Sequence, residues 1–243
     1  MGRAAAFDRT VSVDGLCNAR DLGGLPLRSG GHTPAGVFLR SECPSRVPPS
    51  GWERLRELGV RTVIDLRQPR ERAAVPYDAA AGMSVVPVDH DGFDDHPEFW
   101  ADYWDNGLVG TALYYLPHLQ RLPERSAAVL TAAAEAPEGG VLFHCAGGRD
   151  RTGLVALLLL AIAGAEPEAI VEDYLESVRN GDALGAALGR PDDEPVREAL
   201  CREHGTTTEG AVRRVVERLD LSELRRLVGE HTWRTLRTWR GHM

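Results

Sequence analysis

A chain of 243 residues with 43% hydrophobic and 26% charged content has the composition of a soluble globular protein and room for one large domain with a full core. Its net charge of −8 argues against nucleic acid as a partner, so an anionic substrate must be drawn by a local field. No signal peptide or bilayer-spanning run is visible, and Cys17, Cys43, Cys145 and Cys201 show neither metal-ligand spacing nor a disulfide pattern, which suits a reducing cytoplasm.

Taken in order, Thr10 to Val13 alternates and reads as a strand, followed by the adjacent charges Arg20 and Asp21, which suggest a surface ion pair. Gly30 to Pro34 is a turn and Gly36 to Arg40 a strand. Ser50 and Glu53 form a capping-box pattern for a helix that stops at Gly59. Val60 to Leu66 is a buried strand with Asp65 and Arg67 at its carboxyl end, where open α/β sheets gather ligands. Met83 to Val88 is another strand, leading into Asp89 and Asp91. The aromatic, acidic stretch through Trp104 fits a lid or core packing better than a binding box. Helices are expected over Val109 to Arg121, bent at Pro117, and over Pro123 to Ala136, where proline takes its permitted first position. Beyond Ala163 the pattern is helical: Pro167 to Arg179, a break at Asp192 to Pro195, then Val196 to Glu203, Glu209 to Leu219, Ser222 to Val228 and Glu230 to Arg240.

The chain is organised around Val141 to Gly153, VLFHCAGGRDRTG. Val141 to Phe143 suits a buried strand, and Leu154 to Ala163 a buried helix. Strand, tight loop and helix start hold an anion, because loop amides and first-turn N–H groups converge on one point. Cys145 stands at that point, with Arg151 after five intervening residues. A thiol attacks only as thiolate, which positive surroundings favour. The same donors hold the oxygens of a phosphoryl group, two of them by the planar Arg151 fork. Gly147 and Gly148 let the backbone turn its amides inward, and Thr152 brings a hydroxyl toward the sulfur. The phosphate cradle on this reading comprises Ala146, Gly147, Gly148, Arg149, Asp150 and Arg151.

His144-Cys145, five residues, then Arg151-Thr152-Gly153 resembles the HCx5R signature of cysteine-dependent tyrosine phosphatases. HCxxGRDRTG is more similar still to a bacterial branch of atypical tyrosine and phosphoinositide phosphatases whose loop reads HCxxGKDRTG. Asn18-Ala19-Arg20-Asp21-Leu22-Gly23-Gly24 resembles that branch's NxRDLGG, and Leu39-Arg40-Ser41 and Asp65-Leu66-Arg67 its next two landmarks. The resemblance implies a cysteine-phosphatase fold: α/β, a mostly parallel central sheet flanked by helices, in one domain spanning 1–243 with a helical part from about residue 165. It places His144, Arg20, Asp21 and Arg67 behind the loop, and for Arg20 and Asp21 a plain structural use stays equally open.

The expected chemistry is attack by Cys145 on phosphorus, hydrolysis of the cysteinyl-phosphate by water, and stabilisation of the equatorial oxygens by Arg151 and the amides, with no metal and no cofactor required. The Trp-Pro-Asp tripeptide that carries the acid in other tyrosine phosphatases is absent. Asp150, then Asp65, then Asp89 or Asp91 are the candidate general acids. Arg149 replaces the branch's lysine and keeps a positive charge at the rim. Three readings stay open: a phosphatase for phosphotyrosine, with phosphoserine, phosphothreonine and phosphoinositides as further substrates; a phosphatase for a small metabolite phosphate; and a phosphate-binding module without turnover. A rhodanese-like loop also cradles an anion at a cysteine, but its usual form departs from this motif.

Overall fold

The computed structural model describes residues 8–243, so residues 1–7 of the expected domain lie outside the described residues. Five strands form one sheet: β1 Arg20–Asp21, β2 Phe38–Ser41, β3 Val60–Asp65, β4 Ser84–Pro87 and β5 Gly140–His144, in the order β1-β2-β5-β3-β4. β1 runs antiparallel to β2 and every other pairing is parallel. The helices are α1 Pro49–Glu57, α2 Pro69–Ala74, α3 Pro97–Ala101, α4 Tyr115–Arg121, α5 Pro123–Glu135, α6 Asp150–Ala163, α7 Pro167–Arg179, α8 Gly181–Ala187, α9 Glu194–Glu203, α10 Thr208–Arg218 and α11 Ser222–Arg237. The fold is therefore the expected α/β class, with a mostly parallel sheet flanked by helices.

Both faces of the sheet are covered, and strand periodicity sorts the side chains between them. Phe38, Ile64, Val141 and Phe143 join the larger hydrophobic cluster, shared with α5, α6, α7, α10 and α11. Leu39, Val63 and Leu142 point to the other face, onto Trp52 and Leu55 of α1. α6 is apolar all round, with Leu154 through Leu160 buried, as a helix at the centre of a fold must be. The parallel register brings Ser41, His144 and Asp65 side by side at the carboxyl end of the sheet. The loop leaving β5 there is flanked on both sides by strand ends.

Several local expectations shift. Of Thr10 to Val13 only Thr10 pairs, in an isolated bridge to Arg20, because Asp14 and Gly15 turn the chain away. α1 starts at Pro49 with Pro48 as its cap and no side-chain cap bond, so Ser50 lies inside the first turn: the fixed φ of proline sets the start. The expected helix over Val109 to Arg121 is broken by Gly110 and Thr111 into two 3-10 turns, and regular helix begins at Tyr115. Pro117 then falls in the first turn of α4, where it bends nothing. Glu194 and Pro195 lie in the first turn of α9 instead of in a break, and Gly229, at φ 78, kinks α11 between the two helices expected there.

The carboxyl-terminal helices share the main core. Trp239 is fully buried, meets the edge of Phe38 at 4.8 Å and donates its indole N–H to the Pro34 carbonyl. Removing that ring from a packed site costs about 3–5 kcal/mol. We therefore expect Trp239→Ala to lower the urea midpoint of the whole chain in one transition; an unchanged midpoint would show that the final turn does not support the sheet.

Candidate active site

The loop from Cys145 to Arg149 is held by its carbonyls. The Ala146 carbonyl accepts from the Cys43 amide at 3.0 Å. Asn18 Nδ2 donates to the carbonyls of Gly147 and Gly148 at 3.2 and 3.3 Å, and Arg40 Nη2 adds a bond to the Gly148 carbonyl at 2.7 Å. In a trans peptide the C=O and the next N–H point opposite ways. Three successive carbonyls fixed on the Asn18–Arg40–Cys43 side therefore turn the amides of Gly147, Gly148 and Arg149 to the other side. Those amides donate to no group among the described residues. Successive free amides over one concavity make an anion nest. Gly148 is required: its φ is +68, and a Cβ there would lie 2.5 Å from the backbone of Ser41 and Glu42.

Behind the loop lies a buried charge cluster. Asp173 of α7 accepts from Arg20 Nε at 3.0 Å and Arg40 Nη1 at 2.6 Å, and also pairs with Arg9. Burial alone would raise the Asp173 carboxyl, but the Arg20, Arg40 and Arg9 charges prevail and hold it far below the usual range. Burial, then the Arg40 charge, brings Arg20 down to about 10. Arg20 Nη1 also fixes Asn18 Oδ1 at 2.7 Å, leaving its amide nitrogen to reach the loop. Arg20 and Asp21 are thus not a surface pair. Both are buried, and Asp21 instead accepts from the Gly23 and Gly36 amides at 2.8 and 2.7 Å.

His144 is buried beneath the loop. Its Nδ1 lies 2.9 Å from the Cys145 carbonyl, which can only accept, so Nδ1 carries the proton and Nε2 accepts from Tyr77 Oη at 2.7 Å. Burial brings its pKa down to about 4 despite the attraction of Asp65. Asp65 is bound at both oxygens by Arg67, at 2.9 and 2.8 Å, and these bonds outweigh burial to keep its carboxyl low. That pair supports the His144 side of the loop and does not line the cavity.

The cavity, about 220 Å³, lies over Cys145 and is lined by Ala146, Gly147 and the side chains of Arg149, Asp150 and Arg151. Arg151 is held by both Glu71 oxygens at 2.5 and 2.8 Å and by Asp91 at 3.0 Å. Those contacts use both Nη1 protons and one on Nη2, so Nε–H and the second Nη2–H remain as a side-on fork. Asp89 caps its own turn, accepting from the Asp91 and Gly92 amides. Thr152 Oγ1 is buried without a hydrogen bond to the Cys145 sulfur or any other group among the described residues. Arg149 corrects the expectation of a free rim charge. It donates to Glu194 at 2.7 Å, Asp150 at 2.7 Å and the Gly110 carbonyl at 2.6 Å, tying α9 to the loop.

Residues 11–222 match the model of the tyrosine phosphatase family. The chain belongs to that family. Its members are phosphoric monoester hydrolases, and membership supports a cysteine-based phosphatase. The chain is similar to a putative tyrosine-protein phosphatase of Cupriavidus necator, 33% identical over 74% of this chain and 67% of that one. It is also similar to a tyrosine-protein phosphatase of Nostoc commune, 28% identical over 67% of this chain and 58% of that one. To the triple specificity protein phosphatase PtpB of Mycobacterium tuberculosis it is 32% identical, over 58% and 61% of the two chains. The chain thus spans about two thirds or less of the length of these relatives. No described helix is long and apolar enough to cross a membrane.

Glu71, Asp173, Glu194, Tyr77 and Tyr114 surround this loop and cavity and do not stand out in the sequence. Only Glu71 carried a local signal: it completes a capping box with Gln68 at the start of α2. Two outcomes follow. Gly148→Ala strains a left-handed residue against β2, so stability should fall by about 1–3 kcal/mol and turnover roughly a hundredfold; a variant with native kinetics would show that the nest is not the anion site. An unfolded histidine takes up its proton near 6.5 whereas folded His144 does so near 4, so this residue costs stability as pH falls between those values. Ring-nitrogen chemical shifts of His144 should stay flat from pH 8 to about 5, and a midpoint near 6.5 would contradict its burial as a neutral ring.

Proposed function

We propose that the protein hydrolyses phosphotyrosine through a cysteinyl-phosphate, with phosphoserine, phosphothreonine and phosphoinositides as further substrates. The observation that carries this reading is the nest of free amides around Cys145, completed by the open fork of Arg151. In the first step the Cys145 thiolate forms a bond to phosphorus as the bond to the leaving oxygen breaks, and Asp150 gives that oxygen its proton. In the second, Asp150 takes a proton from water, the water oxygen bonds to phosphorus, and the thiolate departs. The amides of Gly147, Gly148 and Arg149 and the Arg151 fork stabilise the equatorial oxygens in both transition states. Asp150 is preferred as the acid because it lines the cavity at the head of α6 and is held by Arg149 through Oδ1 alone. Neither Asp65, bound at both oxygens by Arg67, nor Asp91, bound to Arg151 and Gln68, lines the cavity. Glu71 positions Arg151, and His144 fixes the Cys145 carbonyl.

A small metabolite phosphate is the second reading, favoured by the aromatic and apolar walls of the cavity, Trp104, Tyr114 and Leu184. The larger of the two kcat/KM values, for a phosphotyrosine peptide or for a panel of metabolite phosphates, decides between the two.

Hydrolysis of p-nitrophenyl phosphate in excess chelator should disappear in Cys145→Ser and fall at least a hundredfold in Arg151→Lys, which loses the side-on fork. Activity surviving in Cys145→Ser would sink the mechanism. Asp150→Asn should slow an alkyl phosphate by a factor of about 10²–10⁴ and the nitrophenyl ester, whose leaving group needs little protonation, far less. Equal losses on both esters would remove Asp150 from the acid role.

A further inference from the structure

The cavity contains four arginines in its wall, Arg149, Arg151, Arg190 and Arg197, and their charges are used very differently. Arg151 is held by Glu71 and Asp91, and Arg149 by Glu194 and Asp150. Arg197 is paired with Asp193 and Glu194. Arg190 forms no ion pair and donates no side-chain hydrogen bond among the described residues. It stands in the segment joining α8 to α9, it is exposed, and its Nη2 lies 3.9 Å from the place a Cβ on Gly147 would occupy. The uncompensated cation of this cavity therefore sits directly over the phosphate loop, at its solvent side.

We propose that Arg190 is a specificity-determining residue that pairs with a second anionic group on the substrate, a carboxylate next to the phosphotyrosine of a peptide. This rests on the phosphotyrosine reading above. The aromatic and apolar wall, Trp104, Val109, Tyr114 and Leu184, suits the ring of a phosphotyrosine entering beside Arg190. A residue flanking that ring emerges at the solvent side, where the guanidinium stands. The tie of Arg149 to Glu194 fixes the start of α9, four residues beyond Arg190, and so limits how far the segment can move from the loop. The loop arginine that replaces lysine in this chain thus secures the wall, and the charge reaching the substrate comes from the other side of the cavity.

The test compares three phosphotyrosine peptides, with Asp, Asn or Lys beside the phosphotyrosine, on the wild type, Arg190→Lys and Arg190→Glu. The wild type should prefer Asp over Lys by about fivefold, near the most that a partly exposed pair supplies. Arg190→Lys should keep that order, Arg190→Glu should reverse it, and added salt should flatten both preferences. A purely structural role would lower kcat/KM for all three peptides alike and leave their ratios fixed, which overturns the proposal. Preference moving only with an inositol bisphosphate headgroup, and not with the peptides, overturns the choice of peptide. Peptide affinities measured on Cys145→Ser and on Cys145→Ser with Arg190→Glu give the same ratios without turnover. A wild type with no cysteine-dependent activity therefore rejects the phosphatase reading separately from this one.

Discussion

The structure depends on the outward tethering of three loop carbonyls. A short polar loop has no intrinsic reason to present its amides to solvent, because a free nest of partial positive charge repels itself and loses its hydrogen bonds. Here the Cys43 amide, Asn18 and Arg40 take the carbonyls, so each peptide plane has only one way to face. Asn18 has that power because Arg20 holds its oxygen, and Arg20 and Arg40 are aligned by one carboxylate, Asp173. An N-terminal motif, a strand end and a helix from the second half of the chain thus converge behind one loop.

Bringing two fully buried arginines together beside the core is costly unless an anion lies between them. Asp173 is that anion, and it remains ionised because those charges outweigh its own burial. The same logic operates in front of the loop with opposite purpose. Glu71 and Asp91 hold Arg151 by one edge of its guanidinium and leave the other edge free. One arrangement clamps its arginines between Asp173 and the loop to make a scaffold; the other aims its arginine.

The sheet and its central strand were legible because β5 carries the unbroken apolar run Val141 to Phe143, the signature of a strand buried on both faces, and β3 carries Val60, Val63 and Ile64. The loop was legible because its chemistry needs fixed residue types at fixed spacing. Helix starts were read less well: Ser50 looked like a cap, yet Pro49 decides the boundary, and Gly110 and Thr111 break what periodicity alone joins. The surface pairing expected of Arg20 and the open rim charge expected of Arg149 are absent for a common reason. Both find their acidic partners, Asp173 and Glu194, far away in sequence, and no local pattern announces such a pairing. Asp65 at a strand end was read as facing the ligand because of its position, whereas its neighbour two residues on, Arg67, claims both oxygens.

The polar atoms left without protein partners are also informative. Tyr114 Oη, Thr152 Oγ1 and Asp91 Oδ1 are buried and unbonded within the chain, and all three belong to residues around Cys145 and Arg151. A buried polar group without a partner costs on the order of 1–3 kcal/mol. In the scaffold behind the loop Asn18, Arg20 and Asp173 are bonded, whereas Arg40 Nε is buried without a partner. Tyr114 Oη, Thr152 Oγ1 and Asp91 Oδ1 stand where a phosphoryl group would bring its oxygens, while others, among them Thr62 Oγ1, His118 Nδ1 and Arg125 Nε, are buried and unpartnered elsewhere in the fold.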